Sequence, residues 1–415
     1  MTAISPAHCP DDTPALDRIP GATRWRDPQP SPLLRLLGIR TDDPRFARLK
    51  QALWQGDPLA DAVADWVQST RGGWALFQQA LAGGIGSVDN PPACLAALFA
   101  RVDTRPHWVD DDLMRRGAAA VLRSGLFGST ALGAVSLVIG YAADAAVKPL
   151  AMTGNLRGGA YQRLRETSRW TVDCAESGTL ARDSHGFHST VKVRLMHAFI
   201  RQKLRARPEW RERDWGVPIL QLDMVATQLE FSTLFILGCG AQGLVFDRAE
   251  REAVMHYYRY VCWLMGVDDD LQPRNFREGL ELAAMLFSTA NMAPDSDSTD
   301  LTRGFYGALE ALLEDGPVSR PVAYIMLQRN AVLSRLFLGN RTADAMQVPK
   351  TRWRLPVLAS GPLVFAGDRL LGLTRRTRAW RDRLGHRLFA GALLPETRGF
   401  IPTMDGRPVV AESVS

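Results

Sequence analysis

Hydrophobic residues recur at three- and four-residue spacing along most of this 415-residue chain, and long alternating runs of β-branched residues are scarce. That spacing belongs to helices with one buried face, so the pattern predicts an all-α protein. It starts at Pro32-Leu33-Leu34-Arg35-Leu36-Leu37 and continues through 46–55 and 61–81. Asn90-Pro91-Pro92 predicts a restart with proline in the first helical turn. An amphipathic stretch over 110–123 feeds an uncharged segment at 124–143. Lys148-Pro149 interrupts it, and 154–159 reads as a loop. A helix is expected over 160–176, stopping near Gly178. Residues 183–188 read as a loop, with Ser189 or Thr190 as the N-cap of a helix reaching about Arg205. Trp215-Gly216-Val217-Pro218 predicts a turn, and further helices are expected at 221–240, 252–266, 276–289, 302–314 and 322–338. From about residue 347 proline and glycine recur and arginines cluster at Arg375, Arg376, Arg378, Arg381 and Arg383. The pattern thus divides the chain into an N-terminal arm (1–30), a helical domain (31–346) and a basic C-terminal extension (347–415).

Composition narrows the class. With 46% hydrophobic residues the chain can bury a large core. Its net charge of +6 arises from 50 basic residues spread among 44 acids, which describes a solvated, arginine-rich surface rather than a nucleic-acid-binding stripe. The five cysteines are far apart and form no C-x-x-C pair, so neither a zinc site nor a disulfide framework is expected. No basic and apolar leader is visible at the start, so a cytoplasmic location is expected. Residues 124–143 have the length of a bilayer span. They also carry four glycines and several hydroxyl residues and no aromatic belt, which fits a buried core helix or a pair of short ones, and no transmembrane span is expected. The arginine cluster reads as an exposed helix face and leaves room for peripheral contact with an anionic membrane surface or a partner.

The candidate chemistry sits on two signatures about thirty residues apart, Arg163-Leu164-Arg165-Glu166-Thr167 and Val193-Arg194-Leu195-Met196-His197-Ala198. His197 shares an apolar face with Val193, Met196, Ile200 and Leu204, and Arg194 and Arg201 flank it one turn either way. A neutral imidazole in an apolar cavity is what a haem iron requires of its proximal ligand, and a nearby arginine can pair with a propionate. On the other helix Arg163 and Thr167 share a face, where a cation and a hydroxyl could polarise bound dioxygen, and Glu166 could serve as a base. An ordinary Arg163–Glu166 surface ion pair fits the same spacing. H-E-x-x-H, G-x-S-x-G, the P-loop and a dinucleotide-binding glycine motif are all absent. His185 with His188, and Asp268-Asp269-Asp270, read better as loop residues and a solvated turn than as metal sites.

At these residues the chain resembles the rubber oxygenase family, typified by latex-clearing proteins, and the related mycophenolic-acid-pathway oxygenases. The resemblance spans roughly residues 110–340. It rests on Arg163-Leu164-x-x-Thr167, on the six residues 193–198, on Trp215-Gly216-Val217-Pro218-Ile219 with Asp223, Thr227, Phe231 and Ser232, and more weakly on Leu264-Met265-Gly266-Val267. It implies a globin-like helical core enclosing b-type haem, and oxidative cleavage of carbon–carbon double bonds with dioxygen. It further implies that His197 is the axial iron ligand, that Arg163 and Thr167 are the polar residues of the distal helix, and that Arg194 precedes the ligand by one turn. Glu166 stands where family members can carry a lysine that ligates iron in a closed state, which departs from the pattern. The expected function is therefore a haem-b oxygenase acting on a hydrophobic unsaturated small molecule or isoprenoid. A haem-binding sensor or carrier without turnover, and a cofactor-free helical interaction protein, are the alternatives.

Overall fold

The computed structural model describes residues 24–153, 159–315 and 320–391, with a short antiparallel pairing of Thr403–Met404 on Arg407–Pro408. Apart from that pairing and a single bridge between Trp25 and Ala290, every regular element among the described residues is helical. Of the predicted N-terminal arm, residues 24–30 are described, and 24–26 are docked. Trp25 is buried, Arg26 N–H donates to the Thr289 carbonyl, and Arg24 pairs with Asp223 and donates to the Trp215 carbonyl.

Local chemistry sets the first helices. In α1 (Pro32–Leu37) the Ser31 hydroxyl accepts from Leu34 N–H, proline opens the first turn, and Gly38 closes it at φ 74°. After α2 (Arg45–Gln51), the run at 61–81 divides into α3 (Pro58–Ser69) and α4 (Gly73–Gly83), because Gly72 turns the chain at φ 79°. Pro92 is the N-cap of α5 (Ala93–Val102), so both prolines lie ahead of its first turn rather than inside it. Helix α6 (Asp111–Arg123) meets α7 (Gly125–Gly140) at a bend of 89°. This uncharged α7 is a buried core helix, with Ala131, Ala134, Val135 and Val138 inaccessible, and its middle, Ala131–Leu137, is wound as π-helix.

After α8 (Lys148–Met152) come the two signature helices, α9 (Gly159–Glu176) and α10 (His185–Arg205). The cap of α10 is Ser184, whose side chain accepts from Phe187 N–H. His185 to His188 therefore form its first turn, not a loop. The two expected capping residues instead bond back along the helix, Ser189 and Thr190 both donating to the Gly186 carbonyl. Helix α11 (Gln221–Ala241) carries a second π-helical stretch, Glu230–Leu234, which packs against that of α7. A capping box between Asp247 and Glu250 starts α12 (Arg248–Leu264) four residues before the apolar pattern begins. Then follow α13 (Phe276–Thr289), α14 (Ser296–Asp315) and α15 (Arg320–Ala345), broken at Gly339 with φ 75°. The basic extension folds into α16 (Arg354–Ala359), α17 (Gly361–Leu371) and α18 (Arg375–Gly391).

The main core lies between α3–α7 and α9–α12, centred on the fully buried Phe77, Phe99, Phe187, Phe235, Tyr257 and Tyr258. At its middle α6 crosses α12 so closely that a side chain at Gly117 would collide with the Ala253 carbonyl. A second cluster joins α1, α2 and α13 to the start of α11, and a third joins the end of α7 to α14 and α15.

Candidate active site

Helices α9 and α10 form an antiparallel hairpin whose register is fixed near the turn. Trp170 Nε1 donates to Thr190 Oγ1 at 3.1 Å, and the Cys174 thiol meets the Gly186 carbonyl at 3.7 Å. A Cβ on Gly186 would lie 2.7 Å from Cys174 Cα, so only glycine lets the helices approach this closely.

His197 is partly buried, and desolvation of its ring pushes the imidazole down to about 4, with the Arg201 charge adding to the effect and Asp57 opposing it. The ring is therefore neutral at pH 7. Its Nδ1 is buried without a hydrogen-bond partner among the described residues. Arg194, one turn earlier, is committed elsewhere: its Nε and Nη2 donate to the two Asp57 carboxylate oxygens at 2.6 and 2.9 Å, and Nη1 to the Leu264 carbonyl at 3.3 Å. Arg201 donates to the carbonyls of Pro218 and Ile219 at 3.0 and 2.9 Å and pairs with Asp61. The Gly-Val-Pro turn is thus clamped to the His197 helix by an arginine, with Gly216 and Ile219 both at positive φ.

On α9, Arg163 is partly buried, donates weakly to the Leu150 carbonyl at 3.4 Å, and lies near enough to Tyr141 for its charge to act on that phenol. Glu166 accepts from Gln162 Nε2 at 2.8 Å on its own helix. The Thr167 side chain is exposed, and its carbonyl accepts from Thr171. Among the described residues no hydrogen bond joins Arg163 or Thr167 to His197. The fold places the two signatures on facing helices.

Sequence reasoning overlooked two groups here. Glu230, in the π-helical turn of α11, is partly buried, and desolvation raises its carboxyl to about 8. Gly140 makes room for it, since a Cβ there would overlap Glu230 Oε1. Tyr141 feels both Arg163 and Glu230, which places the two charges around one phenol whose own value burial raises to about 12. A signal existed: Glu230 is the only charged residue between Asp223 and Asp247. The second group is the fully buried pair Tyr257 and Tyr258, whose hydroxyls have no hydrogen-bond partner among the described residues. They close an aromatic line from Trp170 through Phe231, with ring centroids 5.5 Å apart and then 5.7 Å to Tyr258.

These residues fit a haem. Its iron requires a neutral ring nitrogen in apolar surroundings, and His197 is one. No three His, Cys, Asp or Glu side chains converge as a metal site among the described residues, so an iron here would need a chelate to supply its other ligands. A cavity of about 540 Å³ lies elsewhere, between Lys148, Met152, Arg207 and Trp215, and none of the candidate residues lines it.

Fold and site describe an all-helical protein with a partly buried, neutral imidazole on one of its core helices, and comparison with known proteins makes the class particular. Residues 121–366 match the family described as ER-bound oxygenase mpaB/B'/Rubber oxygenase, catalytic domain, and the chain belongs to this oxygenase family. Rubber oxygenase of Streptomyces sp. (strain K30) is 23% identical over 305 residues, 71% of this chain and 70% of that protein. The solved structure of latex clearing protein LCP in the closed state shares the fold, with a TM-score of 0.63 at 20% identity over 85% of this chain and 94% of that one.

Proposed function

We propose that the protein is a haem-b-dependent oxygenase that cleaves a carbon–carbon double bond of a hydrophobic unsaturated substrate, an isoprenoid or similar small molecule. The observation that carries this is the neutral imidazole of His197, on a helix that packs against the helix of Arg163, in a chain of an oxygenase family. His197 would hold the iron, and a bound haem would supply the centre at which dioxygen is activated. Arg163 brings a cationic donor and Thr167 a hydroxyl to the opposing helix, where both can orient a polarised oxygen. Glu166, already accepting one hydrogen bond, is the candidate to take up a proton. Arg194 acts one step back: by binding Asp57 and the Leu264 carbonyl it fixes the rotation of α10 and so the direction in which His197 points.

The absorption spectrum of protein expressed with haem supplementation tests this. A Soret band is expected, lost or displaced in His197→Ala, together with dioxygen consumption on an unsaturated isoprenoid. A coloured protein that binds dioxygen reversibly and consumes none with any such substrate would instead be a carrier or sensor. A colourless, folded protein would remove the haem assignment.

A further inference from the structure

The exposed apolar side chains of this protein are concentrated on its C-terminal helices. Of the seventeen large hydrophobic residues exposed among the described residues, eight fall between Leu355 and Leu388, and three more, Val322, Tyr324 and Ile325, lie at the start of α15 beside them. The two groups are adjacent, since the Tyr324 ring meets that of Trp353 edge-on at 5.8 Å. Along α17 and the residue pair after it, Leu363, Ala366, Leu370 and Leu373 follow the helical repeat and all face outward, with Leu363, Leu370 and Leu373 at 76%, 64% and 74% exposure. An outward apolar stripe of this kind on a folded surface is costly unless something covers it.

Its charge says what. Residues 347–391 hold ten basic and two acidic residues. The rest of the chain, with 40 basic and 42 acidic, is slightly negative. The whole positive charge of the protein therefore sits on the segment that bears the stripe. One of the two acids, Asp368, is already neutralised by Arg123 and Arg381. Arg375, Arg376, Arg378, Arg383 and Arg387 are exposed on α18, alongside Trp380 at 51%.

We propose that α16–α18 form a docking surface for an anionic lipid bilayer, the leucine stripe of α17 entering the acyl boundary and the arginines and Trp380 lying at headgroup level. Leucine and tryptophan with arginine, and almost no acid, match that interface in both its apolar and its charged layer. A second copy of the chain fits less well, because a two-fold contact through this face would set two clusters of arginines against each other. The chain's own residues 392–415 carry three acids and two arginines, too little charge to neutralise the face. The surface belongs to helices outside the hairpin that carries His197, so the inference does not depend on the haem reading.

Co-sedimentation of the full chain with vesicles tests it. Binding is expected to vesicles of phosphatidylcholine with about 30% phosphatidylserine, weakening as salt rises, and to be far weaker for phosphatidylcholine alone. The triple change Leu363→Asp, Leu370→Asp, Leu373→Asp and, separately, Arg375→Glu with Arg376→Glu should each reduce anionic binding by about ten-fold or more while leaving the melting curve in place. Hydrogen exchange should show α17 amides slowed only when anionic vesicles are present. Absence of binding to anionic vesicles at low salt would overturn the proposal. So would full binding by the leucine variant, which would mean adsorption by charge alone. A dimer that the leucine variant dissociates, or α17 amides equally protected without lipid, would assign the face to a second copy or to the chain itself.

Discussion

Glu230 shows how much one side chain can shift the balance of a fold. Its partly buried carboxyl, in the π-helical turn of α11, rises from an ordinary value near 4.5 to about 8 because desolvation disfavours the charge. The folded state therefore holds a proton that the unfolded chain releases. Between about pH 4.5 and 8 the unfolded chain binds fewer protons, so stability falls as pH rises, and the loss is complete above 8. The effect is on the order of a few kcal/mol at most. Glu230→Gln, which mimics the neutral acid, should remove this pH dependence and stabilise the protein at pH 8 relative to wild type, read by denaturant titration across that range. At pH 7 the group is largely a neutral acid close to Tyr141, which also feels Arg163, so the same variant is expected to alter the pH profile of turnover before it alters folding.

Between elements, the α9–α10 hairpin is the unit on which the proposed chemistry depends, and its closeness rests on Gly186. Gly186→Ala would push a methyl to 2.7 Å from Cys174 Cα, where backbone rather than a flexible side chain must give way. A cost of about 1–3 kcal/mol is expected, read as a lower melting temperature, together with weaker haem retention as the facing helices separate. The helices themselves were largely legible in the sequence, because an apolar face recurs whenever a helix packs on a core. What was not legible came from local hydrogen bonding. Ser184 caps α10 and draws four residues of apparent loop into it, and the Asp247–Glu250 box starts α12 before any apolar residue announces it. His197 was recognisable because it sits on an apolar face. Glu230 was not, since a lone carboxylate in an apolar helix carries no periodic signal, and its meaning depends on Gly140, ninety residues earlier. Arg194 was expected beside a propionate, but Asp57, at the N-cap of a helix 137 positions upstream, could not be foreseen as its partner.

At the scale of the whole molecule, that pair links regions the family boundaries separate. The matched segment begins at residue 121, yet Asp57 lies well before it, and Gly266, at φ 87°, leaves the room in which carboxylate and guanidinium meet. Removing Asp57 would strand a buried charge beside the candidate iron ligand, so Asp57→Ala is expected to cost about 3–5 kcal/mol, measurable by denaturant unfolding. A fragment comprising 121–366 alone would lack both Asp57 and the α3–α5 layer that covers α10, and we expect it to be insoluble or molten by circular dichroism and dye binding. The family-matched segment and the stretch that supplies the partner of Arg194 are therefore different parts of this chain. Engineering that swaps catalytic segments between relatives will have to carry the upstream carboxylate along, or supply another, for the exchanged histidine helix to keep its aim.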